Sequence, residues 1–215
     1  MFRDRIDAGA RLASLLEEYR GRRPLVLGLP RGGVIVAAEV ARILHADLDV
    51  LVARKVGAPR QKEFSIGAVS EHGAVVRDER VLTSLGLSEA DWERQKAGSI
   101  KTMQSQIELF RGGRDLPSLA NRTVIVVDDG LATGRTAQAA VRAVADRRAK
   151  KLVFAAPVAS VVGRKRIERE EGVDEVVTVS VPLEFYAVGQ FYHRFRPVEA
   201  DEVVGVLEQF RDARC

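Results

Sequence analysis

The chain has 215 residues, 46% hydrophobic and 30% charged, a balance that fits one globular domain and excludes disordered and fibrous classes. Its net charge of +4 is a small excess on 34 basic and 30 acidic residues, and it singles out neither nucleic acid nor a polyphosphate ligand. The one cysteine, Cys215, leaves no disulfide framework or cysteine metal site within a chain, which fits a reducing cytoplasm.

The first residues, MFRDRIDAGARLASLL, are too charged and interrupted for a signal peptide. No apolar run approaches the ~20 residues of a membrane span. The spacing of Ile6, Ala10, Ala13 and Leu16, widened by Leu12, Leu15 and Tyr19, predicts a packing helix over residues 3–20, ended by Gly21 and Pro24. Residues 24–29 form a short apolar strand. Pro30, Arg31, Gly32 and Gly33 follow, then an amphipathic helix over 34–44. Paired glycines at a helix start read either as a plain tight turn or as a place where backbone N–H groups meet an anion.

Residues 47–53 predict a second strand, ending at Arg54 and Lys55 and running into a mobile basic loop with Gly57 and Pro59. Residues 64–70 and 73–77 predict two short strands around His72 and Gly73. Asp78 is placed to cap a short helix reaching Leu85. Ser88 and Asp91 form a capping box for a helix running to Phe110, with Trp92, Ile100, Met103 and Ile107 on one side and Gly112–Gly113 as the stop. Residues 78–111 are thus a helical insertion, read as a lid, an oligomer contact or a packing element.

Strands at 124–127, 151–159 and 173–179 alternate with helices at 137–148 and 163–171. This predicts an α/β fold, an open and mainly parallel twisted sheet with helices on both faces. Residues 184–195 hold five of the chain's twelve aromatics, enough to close a core or wall a pocket for a flat ring. A final helix starts near Glu199, with Val203, Val206, Leu207 and Phe210 on one face.

The most informative stretch is residues 124–136, VIVVDDGLATGRT. A buried strand ends in Asp128 and Asp129. A short loop follows, and Ala132, Thr133, Gly134, Arg135 and Thr136 open a helix. Successive N–H groups and two hydroxyls at a helix start make a cradle for a phosphate monoester. Adjacent carboxylates can accept hydrogen bonds from a vicinal diol and lie near a hydrated Mg²⁺. No Gly-Lys-Ser/Thr of a P-loop and no dinucleotide fingerprint occurs here. Together the two parts describe a site for a ribose 5-phosphate.

This stretch resembles the phosphoribosyl diphosphate (PRPP) signature of type I phosphoribosyltransferases. The resemblance covers residues 24–180 and implies a single domain over 1–215 with a small hood, for which 184–215 and the 78–111 insertion are candidates. It implies that Asp128 and Asp129 hold the ribose hydroxyls and, through water or the ribose, Mg²⁺, and that residues 132–136 hold the 5-phosphate. Arg31, Gly32 and Gly33 resemble the pyrophosphate loop. Arg54 and Lys55 resemble the start of the flexible catalytic loop, here residues 56–66, which closes to exclude water, and with Arg31 and Mg²⁺ they are implied to neutralise the leaving pyrophosphate. Lys55, Arg54 and Asp129 are the implied catalytic residues. The reaction implied is displacement of pyrophosphate from PRPP by a nitrogenous acceptor, and homodimers are the common assembly of the fold.

Phosphoribosyltransferases for 6-oxopurines usually carry an aspartate where this chain has Ala132, which argues against hypoxanthine or guanine as acceptor. Two other classes compete with the enzyme reading. A non-catalytic PRPP or nucleotide sensor of the same fold often loses part of the pyrophosphate or catalytic loop, and both are present. No helix-turn-helix or basic stripe argues for nucleic acid. A PRPP synthetase-like kinase requires two tandem domains.

Overall fold

Strands covered on both faces must be apolar throughout. In the computed structural model residues 25–28, 124–127 and 152–158 are buried without interruption. The structure describes residues 1–212, except for the side chains of Lys62 and Glu63; Cys215 lies outside the described residues. In chain order the elements are α1 (Arg5–Ser14), β1 (Leu25–Gly28), α2 (Gly32–Leu44), β2 (Asp47–Val50), β3 (Ala53–Ala58), β4 (Gln61–Ser70) and β5 (Val75–Arg77). There follow α3 (Glu79–Ser84), α4 (Glu89–Arg111), β6 (Thr123–Val127), α5 (Arg135–Ala145), β7 (Lys151–Val158), α6 (Val161–Glu168), β8 (Glu175–Ser180) and α7 (Ala200–Asp212).

Five strands pair in the order β2-β1-β6-β7-β8, all parallel. Alternate residues of each strand face opposite layers. Val26, Ile125 and Val153 pack with Leu12 of α1 and Val34 and Val40 of α2. Leu27, Val126 and Phe154 pack with Ala137, Val141 and Val144 of α5 and Ile167 of α6. The fold is therefore the α/β sheet with helices on both faces. The strand order reverses direction between β1 and β6, and their carboxyl ends carry the two glycine-containing loops. That is the crevice where open α/β sheets bind ligands.

The chain leaves this sheet after β2 and returns at β6. The excursion builds a second, antiparallel sheet β3-β4-β5, and α3 and α4. Here the structure corrects the expected loop: residues 53–58 and 61–70 are a β-hairpin, and Arg54 and Lys55 lie inside β3 rather than beyond a strand end. Gly57 does not break the strand because register shifts around Val56, Gly57 and Ala58 absorb it as a bulge. The capping box at Ser88 and Asp91 and the cap of α3 by Asp78 form as expected.

The first helix is shorter than its pattern suggests. It ends at Ser14, and a 3₁₀ turn over Glu17–Tyr19 carries Tyr19 into the core. Ile6 and Leu15 are exposed, because the buried face runs through Arg5, Ala8, Gly9, Leu12 and Ala13. Helix α5 begins two residues earlier than expected, α6 spans 161–168 rather than 163–171, and β8 spans 175–180 rather than 173–179. No helix among the described residues is long and apolar enough to cross a membrane.

Candidate functional site

Strand β6 delivers Asp128 and Asp129 to the carboxyl edge of the sheet. The Asp128 N–H donates to the carbonyl of Ala155 at 3.2 Å, and Asp128 Oδ1 accepts from the Asp129 N–H at 2.8 Å. Burial raises the carboxyl pKa of Asp128 well above its ordinary value, and the neighbouring Asp129 charge adds to it. Burial also raises that of Asp129, against the pull of the Arg5 guanidinium. Arg5 Nε donates to Asp129 Oδ2 at 2.8 Å and its Nη1 donates to the Arg196 carbonyl at 2.8 Å. The guanidinium lies 4.0 Å from the ring centre of Phe195, within range of a cation–π contact. Tyr192 donates its hydroxyl to the Asp129 carbonyl at 2.6 Å.

The loop after the acid pair is held from behind. The Leu131 N–H donates to the Val158 carbonyl at 2.8 Å, and Ser160 Oγ donates to the Ala132 carbonyl at 2.5 Å while capping α6 through the Gly163 N–H. Gly134 then turns the chain with φ +78°, a left-handed conformation that glycine adopts without a steric penalty. It is the N-cap of α5 and supplies no side chain to that helix, whose first turn holds no acidic residue. The first N–H groups of α5 therefore have no intrahelical acceptor, and Thr133 and Thr136 stand beside them, Thr133 exposed. The Arg135 side chain turns away to pair with Asp78, so Arg135 offers this loop only its backbone.

The loop between β1 and α2 approaches from the other side. Leu29 donates its N–H to the Val127 carbonyl at 2.8 Å, and the Pro30–Arg31 peptide bond is cis. A Cβ on Gly32 would fall on Asp129 Oδ2 and within 2.7 Å of Arg5 Nε; one on Gly33 would lie 2.9 Å from Asp128 Cα. Only glycine lets this backbone press against the acid pair. Arg31 is exposed at the start of α2, 3.5 Å from Glu199.

The hairpin separates the two cations that the sequence places together. Lys55 pairs with Ala68, whose side chain packs on Ala139 of α5. Directly opposed residues share a face, so Lys55 faces α5, where it lines a cavity of about 270 Å³ with Phe64, Ser65, Thr133, Arg135 and Thr136. Arg54 pairs with Val69 on the opposite face and donates to Gln106 of α4 at 3.0 Å. The structure thus brings Lys55 to the Thr133–Thr136 loop and leaves Arg54 on the α4 side.

Of the two hood candidates, residues 184–195 reach the acid pair, through Tyr192, Phe195 and Val188, which packs on Gly130. The 78–111 segment reaches the loop through the Asp78–Arg135 ion pair. Arg5 and Ser160 are not singled out by the sequence, and Tyr192 and Phe195 enter it only as members of the 184–195 aromatic segment. Arg5 leaves one signal: it falls at i, i+3 and i+7 with Ala8 and Leu12, a charge on the buried face of its helix. Among the described residues no group of three or more His, Cys, Asp or Glu side chains could hold a metal ion by itself.

The sequence profile of the phosphoribosyl transferase domain matches residues 3–196. Two Mycobacterium tuberculosis proteins, from strains CDC 1551 and H37Rv and provisionally named phosphoribosyl transferases, are each 42% identical over 210 residues, or 97% of this chain. The chain spans about half the length (47%) of these curated relatives. The crystal structure of TT1426 from Thermus thermophilus is 41% identical and superposes with a TM-score of 0.80, covering 97% of this chain and 98% of that one. An acid pair at the end of a covered strand, a glycine turn into an uncapped helix and a second glycine loop against the same carboxylates all fall within the matched residues, and the chain belongs to the phosphoribosyl transferase domain family.

Proposed function

We propose that the protein transfers the 5-phosphoribosyl group of PRPP to a nitrogenous acceptor, with release of pyrophosphate. The observation that carries this reading is the convergence of two glycine loops on Asp128 and Asp129, one of them opening the uncapped α5. In this reading Asp128 and Asp129 accept hydrogen bonds from the ribose hydroxyls. The N–H groups of residues 132–136 and the hydroxyls of Thr133 and Thr136 hold the 5-phosphate, and Lys55 adds a cation on that side. Arg31 and the N–H groups of Gly32 and Gly33 receive the pyrophosphate.

The bond from the anomeric carbon to pyrophosphate breaks as the acceptor nitrogen bonds to that carbon. Positive charge builds on the ribose ring, and the carboxylates beneath it stabilise that charge. Closure of residues 56–66 would keep water from competing with the acceptor. Arg54 joins the site in this scheme only if the hairpin moves.

Asp128 and Asp129 fit Mg²⁺ in the way that ion is commonly held, by one or two carboxylates with substrate oxygens and water completing the shell. Bound there with PRPP, Mg²⁺ would neutralise charge on the leaving pyrophosphate. The acceptor is a nucleobase in this proposal. Ala132 is exposed and uncharged, which supports a base other than a 6-oxopurine, and residues 184–195 supply the aromatic wall.

A panel of nucleobases and other amines, each incubated with PRPP and Mg²⁺ while pyrophosphate is measured, tests the reading. Acceptor-dependent release is the expected result. PRPP binding without release for any acceptor would instead support a sensor of the same fold.

A further inference from the structure

Away from those loops, a cavity of about 380 Å³ lies between the β4–β5 side of the antiparallel sheet and α4. Ile100, Met103 and Ile107 of α4 give it an apolar wall, and Glu71, Arg111 and Arg114 make one end polar. The side chains of Glu71 and Arg111 are each 3% exposed and form an ion pair through Arg111 Nη2. Each Glu71 oxygen has a partner, since its Oε1 also accepts from the Val52 N–H at 2.7 Å. Arg111 differs: its Nε and Nη1 have no acceptor among the described residues. Folded proteins leave few buried donors unmatched, and those they leave commonly meet a water or a ligand. None of the other polar side chains lining the cavity, Ser70, His72, Gln104, Arg114 and Asp115, accepts a hydrogen bond from Arg111 Nε or Nη1.

We propose that this cavity binds a small molecule with a carboxylate head and an apolar body, the head against Arg111 and the body against Ile100, Met103 and Ile107. A carboxylate oxygen supplies an acceptor for a donor that Arg111 leaves unmatched, in a charge-assisted hydrogen bond. The volume lies within the range of small-molecule pockets. None of the lining residues belongs to the Pro30–Gly33 or Asp128–Thr136 loops, so this site is separate from the proposed transfer reaction and does not rest on it.

The test uses 4-phenylbutyrate and its uncharged analogue 4-phenylbutanol, titrated into the full chain by calorimetry. The acid is expected to bind with a submillimolar Kd, at least tenfold tighter than the alcohol. Arg114→Gln should weaken the acid about threefold. Arg111→Met should abolish the preference for the acid, but it strands Glu71 and can unfold the chain. Gln104→Trp covers that case: Gln104 is exposed on α4 and lines the cavity, so the substitution fills the space and leaves the ion pair intact. It should weaken the acid at least tenfold without lowering Tm. Equal affinity for acid and alcohol, unchanged binding in Gln104→Trp, or no binding to the wild-type chain would each overturn the proposal.

Discussion

Arg5 and Asp129 lie 124 positions apart in the chain and 2.8 Å apart in space. The guanidinium is itself fixed, by the Arg196 carbonyl on one side and the Phe195 ring on another. It is the cation that favours the charged form of a carboxylate which burial disfavours. Replacing Arg5 with Met should shift the acid limb of the activity–pH profile to higher pH, because Asp129 then needs a higher pH to ionise. Turnover should fall by up to about 10²-fold, the scale of a misplaced reacting group. Arg5→Lys should restore part of both. An acid limb that stays where it was, with activity merely reduced, would assign Arg5 to folding alone.

Asp128 predicts a trade between stability and activity. Its pKa is raised in the fold, chiefly by burial. A carboxyl with a raised folded pKa makes no difference to stability below its unfolded pKa, about 3.9. Its destabilising effect grows as pH rises through the folded value and is complete above it. Asp128→Asn should therefore raise stability at pH 7 by about 1 kcal/mol, the usual size of a single stabilising change. The gain should vanish near pH 3, and PRPP-dependent pyrophosphate release should be lost. Urea unfolding at the two pH values separates the outcomes.

The two cations of β3 should behave differently. Lys55→Ala removes a charge facing Thr133 and Thr136 and should reduce kcat/KM by about 10²-fold or more, on the scale of lost electrostatic stabilisation. Tm should hardly change. Arg54→Ala breaks the hydrogen bond to Gln106 on α4, so its main effect should be on how the hairpin sits against α4. Equal losses of activity for both variants would mean that the hairpin moves far enough in turnover to bring Arg54 to the pyrophosphate.

Gly32 and Gly205 offer a direct contrast. A Cβ at Gly32 meets Asp129 and Arg5, whereas one at Gly205 meets nothing within 4 Å. Gly32→Ala should cost about 1–3 kcal/mol, as overpacking does, and remove activity by displacing the acid pair. Gly205→Ala, in the middle of α7, should stabilise by about 0.5–1 kcal/mol and leave activity alone. Thermal unfolding and pyrophosphate release on the same two samples check both.

The 123–145 unit is legible in the sequence because its parts are local: an unbroken apolar run, two acids, a left-handed glycine and an alanine-rich helix. The hairpin is not, because Gly57, Pro59 and the charges around them read as breakers, and only a bulged register reconciles them with a strand. Helix α1 reads too long because Leu15 and Leu16 continue its apolar pattern past the point where the chain turns. The partners of Asp129 are out of reach for a different reason. Tyr192 and Phe195 look like any core aromatics until the fold sets them beside a carboxylate from the middle of the chain. Only Arg5, on the buried face of its own helix, gives a local hint of a distant acid.

That arrangement has a consequence for biosynthesis. The Asp129 carboxylate is steadied by residue 5, its carbonyl by residue 192, and the Arg5 donor Nη1 by a carbonyl 191 positions further on. At ribosomal speeds of about 5–20 residues per second, the first helix is made roughly ten to forty seconds before the residues that complete its contacts. Contacts of such separation form late and slowly. The acid pair should therefore mature late, and a chain truncated after residue 180 keeps every strand of the parallel sheet but lacks Tyr192 and the Arg196 carbonyl that complete the site.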